Sequence, residues 1–224
     1  IKTVTALGGY AMTAITALTA QNTEGVFGIH SVPAPFVAQQ MKVVMDDIGV
    51  DCIKIGMLHR PDIIRAVAEV IRENCMDIPL VVDPVMFAKG GESLLEEEAM
   101  TALKDYIVPI ATLLTPNIPE AEALAGIIAS RKDQAEMLAR EILTLGSRSV
   151  LLKGGHRNDD VVLDLLLSPS ASVHNFSSSR INTANTHGTG CTLASAISVS
   201  LAQGMEVFDA VVRGRNYVFE AIKM

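Results

Sequence analysis

The stretch Asn185-Thr186-His187-Gly188-Thr189-Gly190-Cys191 sets two glycines around a threonine, just ahead of a small, apolar run from Thr192 to Gln203. Leu193, Ile197 and Leu201 recur every four residues, so the run reads as a helix with one buried face, stopped by Gly204. A glycine-rich turn feeding a helix leaves the first backbone N–H groups without intrahelical partners. Such groups favour an anion such as a phosphate. A thiol at Cys191 would stand at the positive end of that helix, where the thiolate is expected to be favoured. Taken singly, Gly188 and Gly190 also suit a plain tight turn, and Cys191 a small packing residue.

Four further sets of polar residues each follow a short apolar run. They are Lys54-Ile55-Gly56-Met57, Asp83-Pro84-Val85-Met86, Thr115-Pro116-Asn117-Ile118-Pro119-Glu120 and Lys153-Gly154-Gly155-His156. Asn117 and Glu120 lie three apart across a proline-started helical turn, which brings both side chains near one point. A carboxylate there can hold Mg²⁺ directly or through water, or simply complement the helix dipole. Lys153, ahead of two glycines, can meet phosphate oxygens as a point charge. Asp83 can orient a metal or a hydroxyl, or form a turn. Lys54 lies between Ile53 and Ile55, so an alternating strand would put it on a helix-covered face. A buried lysine needs a partner, and Asp83 on a neighbouring strand is a candidate.

The elements that must position these residues alternate in kind. Short strands are expected at Met12 to Leu18, Val26 to Val32, Cys52 to Ile55, Leu80 to Val82, Ala111 to Leu114 and Val150 to Leu152. Amphipathic helices are expected between them: Pro35 to Ile48, one opened by Pro61-Asp62, Leu94 to Tyr106, Glu120 to Leu124, and one through Ala135, Leu138, Ile142 and Leu143. Ile1 to Leu7 reads as a helix ending at Gly8-Gly9, and Val207 to Ile222 as the last helix. Near-continuous apolar strands alternating with helices predict an α/β fold, a mostly parallel central sheet covered on both faces. Val161 to Leu167 and Val173 to Phe176 read as further strands, antiparallel and near an edge. In open parallel sheets ligands bind at the carboxyl ends of the strands, where all four polar sets fall. One such residue would mean little; four in succession with the glycine turn make a site.

The 224 residues are 49% hydrophobic with a net charge of −7, enough for one domain with a sizeable core. The acidic balance and the absence of Lys/Arg runs argue against nucleic acid or an anionic membrane as main partner. No apolar run approaches a membrane span. Three separated cysteines, Cys52, Cys75 and Cys191, fit neither a disulfide framework nor paired zinc ligands and suit a reducing cytoplasm. There is no GxxxxGK[ST], and Leu193 occupies the place of a third glycine after Gly188 and Gly190, so P-loop and dinucleotide readings fail.

Assembled, these blocks resemble the hydroxymethylpyrimidine/phosphomethylpyrimidine kinases of thiamine biosynthesis, in the ribokinase-like superfamily. The resemblance also rests on Ala17-Leu18-Thr19-Ala20-Gln21-Asn22-Thr23 and spans essentially the whole sequence. It implies a single three-layer αβα domain over 1–224, a cytoplasmic homodimer, and transfer of the γ-phosphoryl group of ATP with Mg²⁺. The implied substrates are 4-amino-5-hydroxymethyl-2-methylpyrimidine and then its monophosphate. By the same resemblance Gly188, Thr189, Gly190 and Cys191 form the catalytic anion hole, with Cys191 where sugar-kinase relatives place an aspartate base. Asn117, Lys153 and Thr186 would meet the nucleotide phosphates, Glu120 and Asp83 the metal, and Thr19, Gln21, Met57 and Val85 the pyrimidine.

The family carries a glycine-rich substrate segment, ending in an acidic residue, before its first helix. This sequence starts just after it, so a first strand and part of the pocket are expected to be missing from it. The stretch around Gly126-Ile127 is also shorter than the family's. A pyridoxal kinase of the same fold is the alternative function, and a catalytically silent pyrimidine-binding protein a more distant one.

Overall fold

The computed structural model describes residues 1–87, 94–129, 134–155, 160–168, 173–183 and 186–223, and gives no side-chain account of Glu97. His156 and Asn185, both part of the resemblance, fall outside the described residues. The elements in order are α1 (Lys2–Ala6), β1 (Ala17–Gln21), β2 (Val26–Ser31), α2 (Ala34–Ile48), β3 (Ile53–Ile55), α3 (Pro61–Asn74) and β4 (Leu80–Val82). There follow α4 (Glu97–Ala102), β5 (Leu113–Leu114), α5 (Ile118–Ala125), α6 (Ala135–Leu143), β6 (Val150–Leu152), β7 (Val161–Leu167), β8 (His174–Ser179), α7 (Thr189–Ala202) and α8 (Val207–Lys223).

The main sheet runs β3-β4-β5-β6-β7-β8. β3 to β6 pair in parallel, and β7 and β8 close the far edge antiparallel, as expected for them. Each parallel strand is an apolar run because both its faces are covered. Val81, Leu113 and Leu151 pack with Leu193, Ile197 and Val211 of α7 and α8 on one face. Leu80, Val82, Leu114 and Leu152 belong to a second core with α2, α3, α5 and α6 on the other face. The result is an αβα sandwich whose four parallel strands deliver their carboxyl ends to one edge.

Three expectations are corrected. The strand expected from Met12 begins only at Ala17, where β1 pairs antiparallel with β2 in a separate two-stranded sheet. Before it, the backbone of Ile15 is satisfied by a side chain. The Ile15 N–H donates to Gln40 Oε1 at 2.9 Å, and Gln40 Nε2 donates back to the Ile15 carbonyl at 3.0 Å. With its backbone polar groups met this way, Ile15 has no need of a neighbouring strand.

The helix expected from Leu94 starts at Glu97, because the Leu94 N–H is held by the Met86 carbonyl and the Glu96 N–H by the His59 carbonyl. It then widens into a π-turn over Leu103–Ile107 and tightens into a 3₁₀-turn over Val108–Ile110. The last correction is the start of α7 at Thr189 rather than Thr192. Gly188, at φ 78°, is the N-cap residue. A left-handed conformation there suits glycine, having no β-carbon to clash. The glycine turn is therefore the first turn of the helix itself.

Candidate active site

The strand ends converge through hydrogen bonds that run across the sheet. Asp83, two per cent exposed after β4, accepts from Thr115 Oγ1 at 3.1 Å after β5 and from Lys153 Nζ at 2.7 Å after β6. Lys153 is held at the same edge by its own N–H, which donates to the Pro116 carbonyl at 2.8 Å, and by a parallel bridge to Asn117. The expected Lys54–Asp83 pair is not formed. In the strand register Lys54 lies opposite Val81, two residues short of Asp83, so Lys153 takes the carboxylate instead. Burial alone would lower the Lys153 pKa, but Asp83 and then Glu120 outweigh it, and the ammonium is held above its usual value.

Asn117 and Glu120 form a reciprocal cap on α5. Glu120 N–H donates to Asn117 Oδ1 at 2.9 Å and Asn117 N–H donates to Glu120 Oε2 at 2.8 Å. Glu120 is four per cent exposed, so it is no surface ornament of the helix dipole. Burial pushes its pKa up to about 7, against the pull of Lys153 and the Asn117 amide, while Asp83 adds to the rise. A buried carboxylate in this state gains from a cation. Mg²⁺ asks for one or two carboxylates together with substrate phosphates and water, and this donor set fits that demand. Among the described residues no cluster of three acidic, His or Cys side chains would hold a metal without such help.

The first turn of α7 closes over this group. A β-carbon built on Gly190 would lie 3.4 Å from Lys153 Nζ and 3.9 Å from Asp83 Oδ2. The turn is tied by Thr186, whose carbonyl accepts from the N–H of Thr189 at 3.4 Å and from its hydroxyl at 3.0 Å. Among the described residues no backbone acceptor takes the N–H of Gly190 or Cys191. These donors stand where the sequence pattern placed an anion.

The thiol of Cys191 does not follow the expectation of an easily formed thiolate. Burial raises its pKa first; Lys54 and Lys153 pull it down, Asp83 and Glu120 push it up, and the balance is upward. The residue keeps surface open to solvent, but the groups packed around its thiol still disfavour the charged form. Carboxylates share the site with the helix N-terminus, and their charge opposes a second anion.

Of the residues expected to meet the pyrimidine, Thr19 and Gln21 approach the glycine turn from the two-stranded sheet. Thr19 Oγ1 donates to Gln21 Oε1 at 3.3 Å, and the Gln21 amide reaches His187 Nε2 of the glycine turn at 3.5 Å. Met57 and Val85 follow β3 and β4 at the shared edge, both half-buried. Sequence reasoning passed over His187 as a partner of Gln21, since 166 residues separate them.

It also missed Asp164, a carboxylate inside the otherwise apolar β7 that accepts from the Gly154 N–H at 2.8 Å and from Arg215 Nε at 2.8 Å. That pair anchors the backbone directly after Lys153 to α8. A lone carboxylate inside an apolar strand was the signal available.

Comparison with known proteins agrees with this geometry. The family model described as "Phosphomethylpyrimidine kinase" matches residues 1–224. The thiamine biosynthesis bifunctional protein ThiED of Geobacter sulfurreducens is 48% identical over 224 residues, all of this chain and 45% of that protein. The chain thus spans under half of that relative's length. The crystal structure of phosphomethylpyrimidine kinase from Clostridium difficile 630 matches with a TM-score of 0.86 and 40% identity, over 99% of this chain and 90% of that one. The pyridoxal kinase of Staphylococcus aureus in complex with AMP-PCP and pyridoxal matches with a TM-score of 0.88 at 30% identity, over 99% and 80%. A match over every residue, together with a strand-end site joined to the glycine turn, shows that the chain belongs to the phosphomethylpyrimidine kinase family.

Proposed function

We propose that this chain, as one kinase domain over residues 1–224, phosphorylates 4-amino-5-hydroxymethyl-2-methylpyrimidine with ATP and then phosphorylates the monophosphate. The observation that carries this reading is the meeting of Lys153, Asp83 and Gly190 beside the Gln21–His187 contact. A pyrimidine held by Thr19, Gln21, Met57 and Val85 has its hydroxymethyl group near the N-terminus of α7. There the hydroxymethyl oxygen bonds to the γ-phosphorus as the bond to the β–γ bridging oxygen breaks. The hydroxyl proton goes to a base and ADP leaves. The chemistry is mainly positioning and charge stabilisation. Lys153, the Gly190 and Cys191 amides and Thr186 hold phosphate oxygens, and Asn117 fixes the cap that aims Glu120. Glu120, with Asp83 beside it, would hold Mg²⁺, which when bound neutralises phosphate charge.

The S. aureus pyridoxal kinase likeness keeps a second acceptor in play. Steady-state assays with both acceptors decide between them. The pocket set predicts a kcat/KM far higher for the pyrimidine; equal or better use of pyridoxal would promote the alternative.

Glu120→Gln should weaken use of Mg·ATP and leave pyrimidine binding nearly intact, because Glu120 sits on the phosphate side of the site. It should also change the pH dependence of stability without metal. Glu120 binds a proton in the folded state up to about pH 7 but in the unfolded state only up to about 4.5. Stability therefore falls as pH rises between those values, by an amount on the order of 3 kcal/mol. In Glu120→Gln that decline should flatten. Urea unfolding from pH 4.5 to 8 checks it, and an unchanged slope would contradict the assignment.

The same reading extends to assembly and location. Leu18 at 58% and Phe27 at 72% exposure place apolar surface on the two-stranded sheet, which supports a homodimer. A monomeric mass in sedimentation would contradict that. Three free thiols support a cytoplasmic location, which recovery of the protein from an oxidising compartment would contradict. Among the described residues no helix is long and apolar enough to cross a membrane.

A further inference from the structure

Lys54 is left without a role once Lys153 has taken Asp83, and its position gives it one. Cys52, Lys54 and Gly56 lie on the face of β3 turned towards α7, since Cys52 packs with the α7–α8 core while Ile53 and Ile55 join the core on the other face. Ile197 of that core is six residues beyond Cys191, about 9 Å along the helix. Lys54 is two residues beyond Cys52, about 7 Å along the strand towards the same end. The lysine stem covers the remaining distance. Its ammonium turns up over Gly56, where a β-carbon would lie 2.8 Å from Nζ. Lys54 also lies within electrostatic reach of Cys191, whose thiolate its charge favours.

The two cations are not equivalent. Lys153 is neutralised by an ion pair at 2.7 Å, whereas Lys54 has no carboxylate partner among the described residues. A half-buried ammonium of this kind is matched when an anion arrives. The alcohol acceptor brings no charge to the site, whereas the monophosphate brings a dianion, one oxygen of which attacks the γ-phosphorus while the others need a cation. We propose that Lys54 binds the phosphate of the monophosphate acceptor and so sets specificity for the second phosphorylation. This rests on the kinase reading given above.

The test compares the two acceptors in one protein preparation, so the ratio is independent of the fraction folded. Lys54→Met keeps the apolar stem and removes the charge. Its kcat/KM for the monophosphate should fall about 10- to 100-fold further than that for the alcohol, the worth of a charged hydrogen bond, and any loss that acts through the Cys191 thiol is shared by both acceptors and cancels in the ratio. Lys54→Arg should recover most of the loss. Gly56→Ala retains the lysine but displaces its ammonium, and should shift the ratio in the same direction by less.

Calorimetry without ATP should show the monophosphate, but not the alcohol, bound more weakly by Lys54→Met. Equal losses for both acceptors would overturn the proposal by assigning Lys54 to the Cys191 thiol or to packing, and no loss for either would overturn it outright. Failure of the kinase reading looks different: the unsubstituted protein would phosphorylate neither acceptor.

Discussion

Cys191→Ala should lower kcat by about 10²–10⁴, the usual worth of a positioned general base, with little change in substrate affinity. The substrate hydroxyl must lose its proton as it meets the γ-phosphoryl group, and Cys191 is the titratable side chain in the first turn of α7. Its raised pKa means that little thiolate is present at neutral pH. The rate of the unsubstituted enzyme should therefore climb with pH through the neutral range and beyond, following the thiolate fraction. Cys191→Ala should lose that slope as well as the rate. Cys191→Asp should retain more activity than Ala, since a carboxylate is ionised throughout this range. A kcat near that of the unsubstituted enzyme in Cys191→Ala, with the pH slope intact, would show that the thiol only packs and that positioning and phosphate electrostatics suffice.

Lys153→Met is expected to cost about 10²–10³ in kcat, the scale found when one preorganised donor to developing charge is removed. The ammonium lies under Gly190, where the proposed transfer would accumulate charge on the phosphoryl group, and is fixed there by Asp83. The substitution also strands Asp83, two per cent exposed, without its countercharge. Breaking one side of a buried pair costs about 3–5 kcal/mol of stability, so lost activity alone would be ambiguous. The double variant Lys153→Met with Asp83→Asn separates the effects. Replacing the stranded charge by a neutral amide should restore much of the stability and none of the rate. A double variant within tenfold of the unsubstituted kcat would place the lysine outside the chemistry.

The sequence made legible what depends on local pattern. The three-residue spacing of Asn117 and Glu120 marked a helix start, and the structure shows both halves of the capping box there. Apolar runs marked β3 to β6, and their parallel pairing brought the polar residues after them to one edge. What stayed hidden depends on strand order and distant partners. Asp83 pairs directly with Lys153 from two strands away, and Thr115, after the strand between, donates to the same carboxylate oxygen. Nothing local distinguishes that from a pair with Lys54. Gln40 replaces a strand partner for Ile15 from 25 residues away, so β-branched residues alone misled there. The helix N-terminus alone suggests an easily formed thiolate at Cys191, but its pKa follows burial and two carboxylates, Asp83 after β4 and Glu120 on α5.

The central claim is that these residues transfer the γ-phosphoryl group of ATP to the pyrimidine. Its most direct test is a single-turnover quench with γ-labelled ATP, Mg²⁺ and excess hydroxymethylpyrimidine. The account predicts that label leaves ATP and appears in the pyrimidine monophosphate, and in the diphosphate when the monophosphate is supplied. Label that stays in ATP or appears only as inorganic phosphate, with the pyrimidine bound but unmodified, would contradict it and leave a pyrimidine-binding protein in its place.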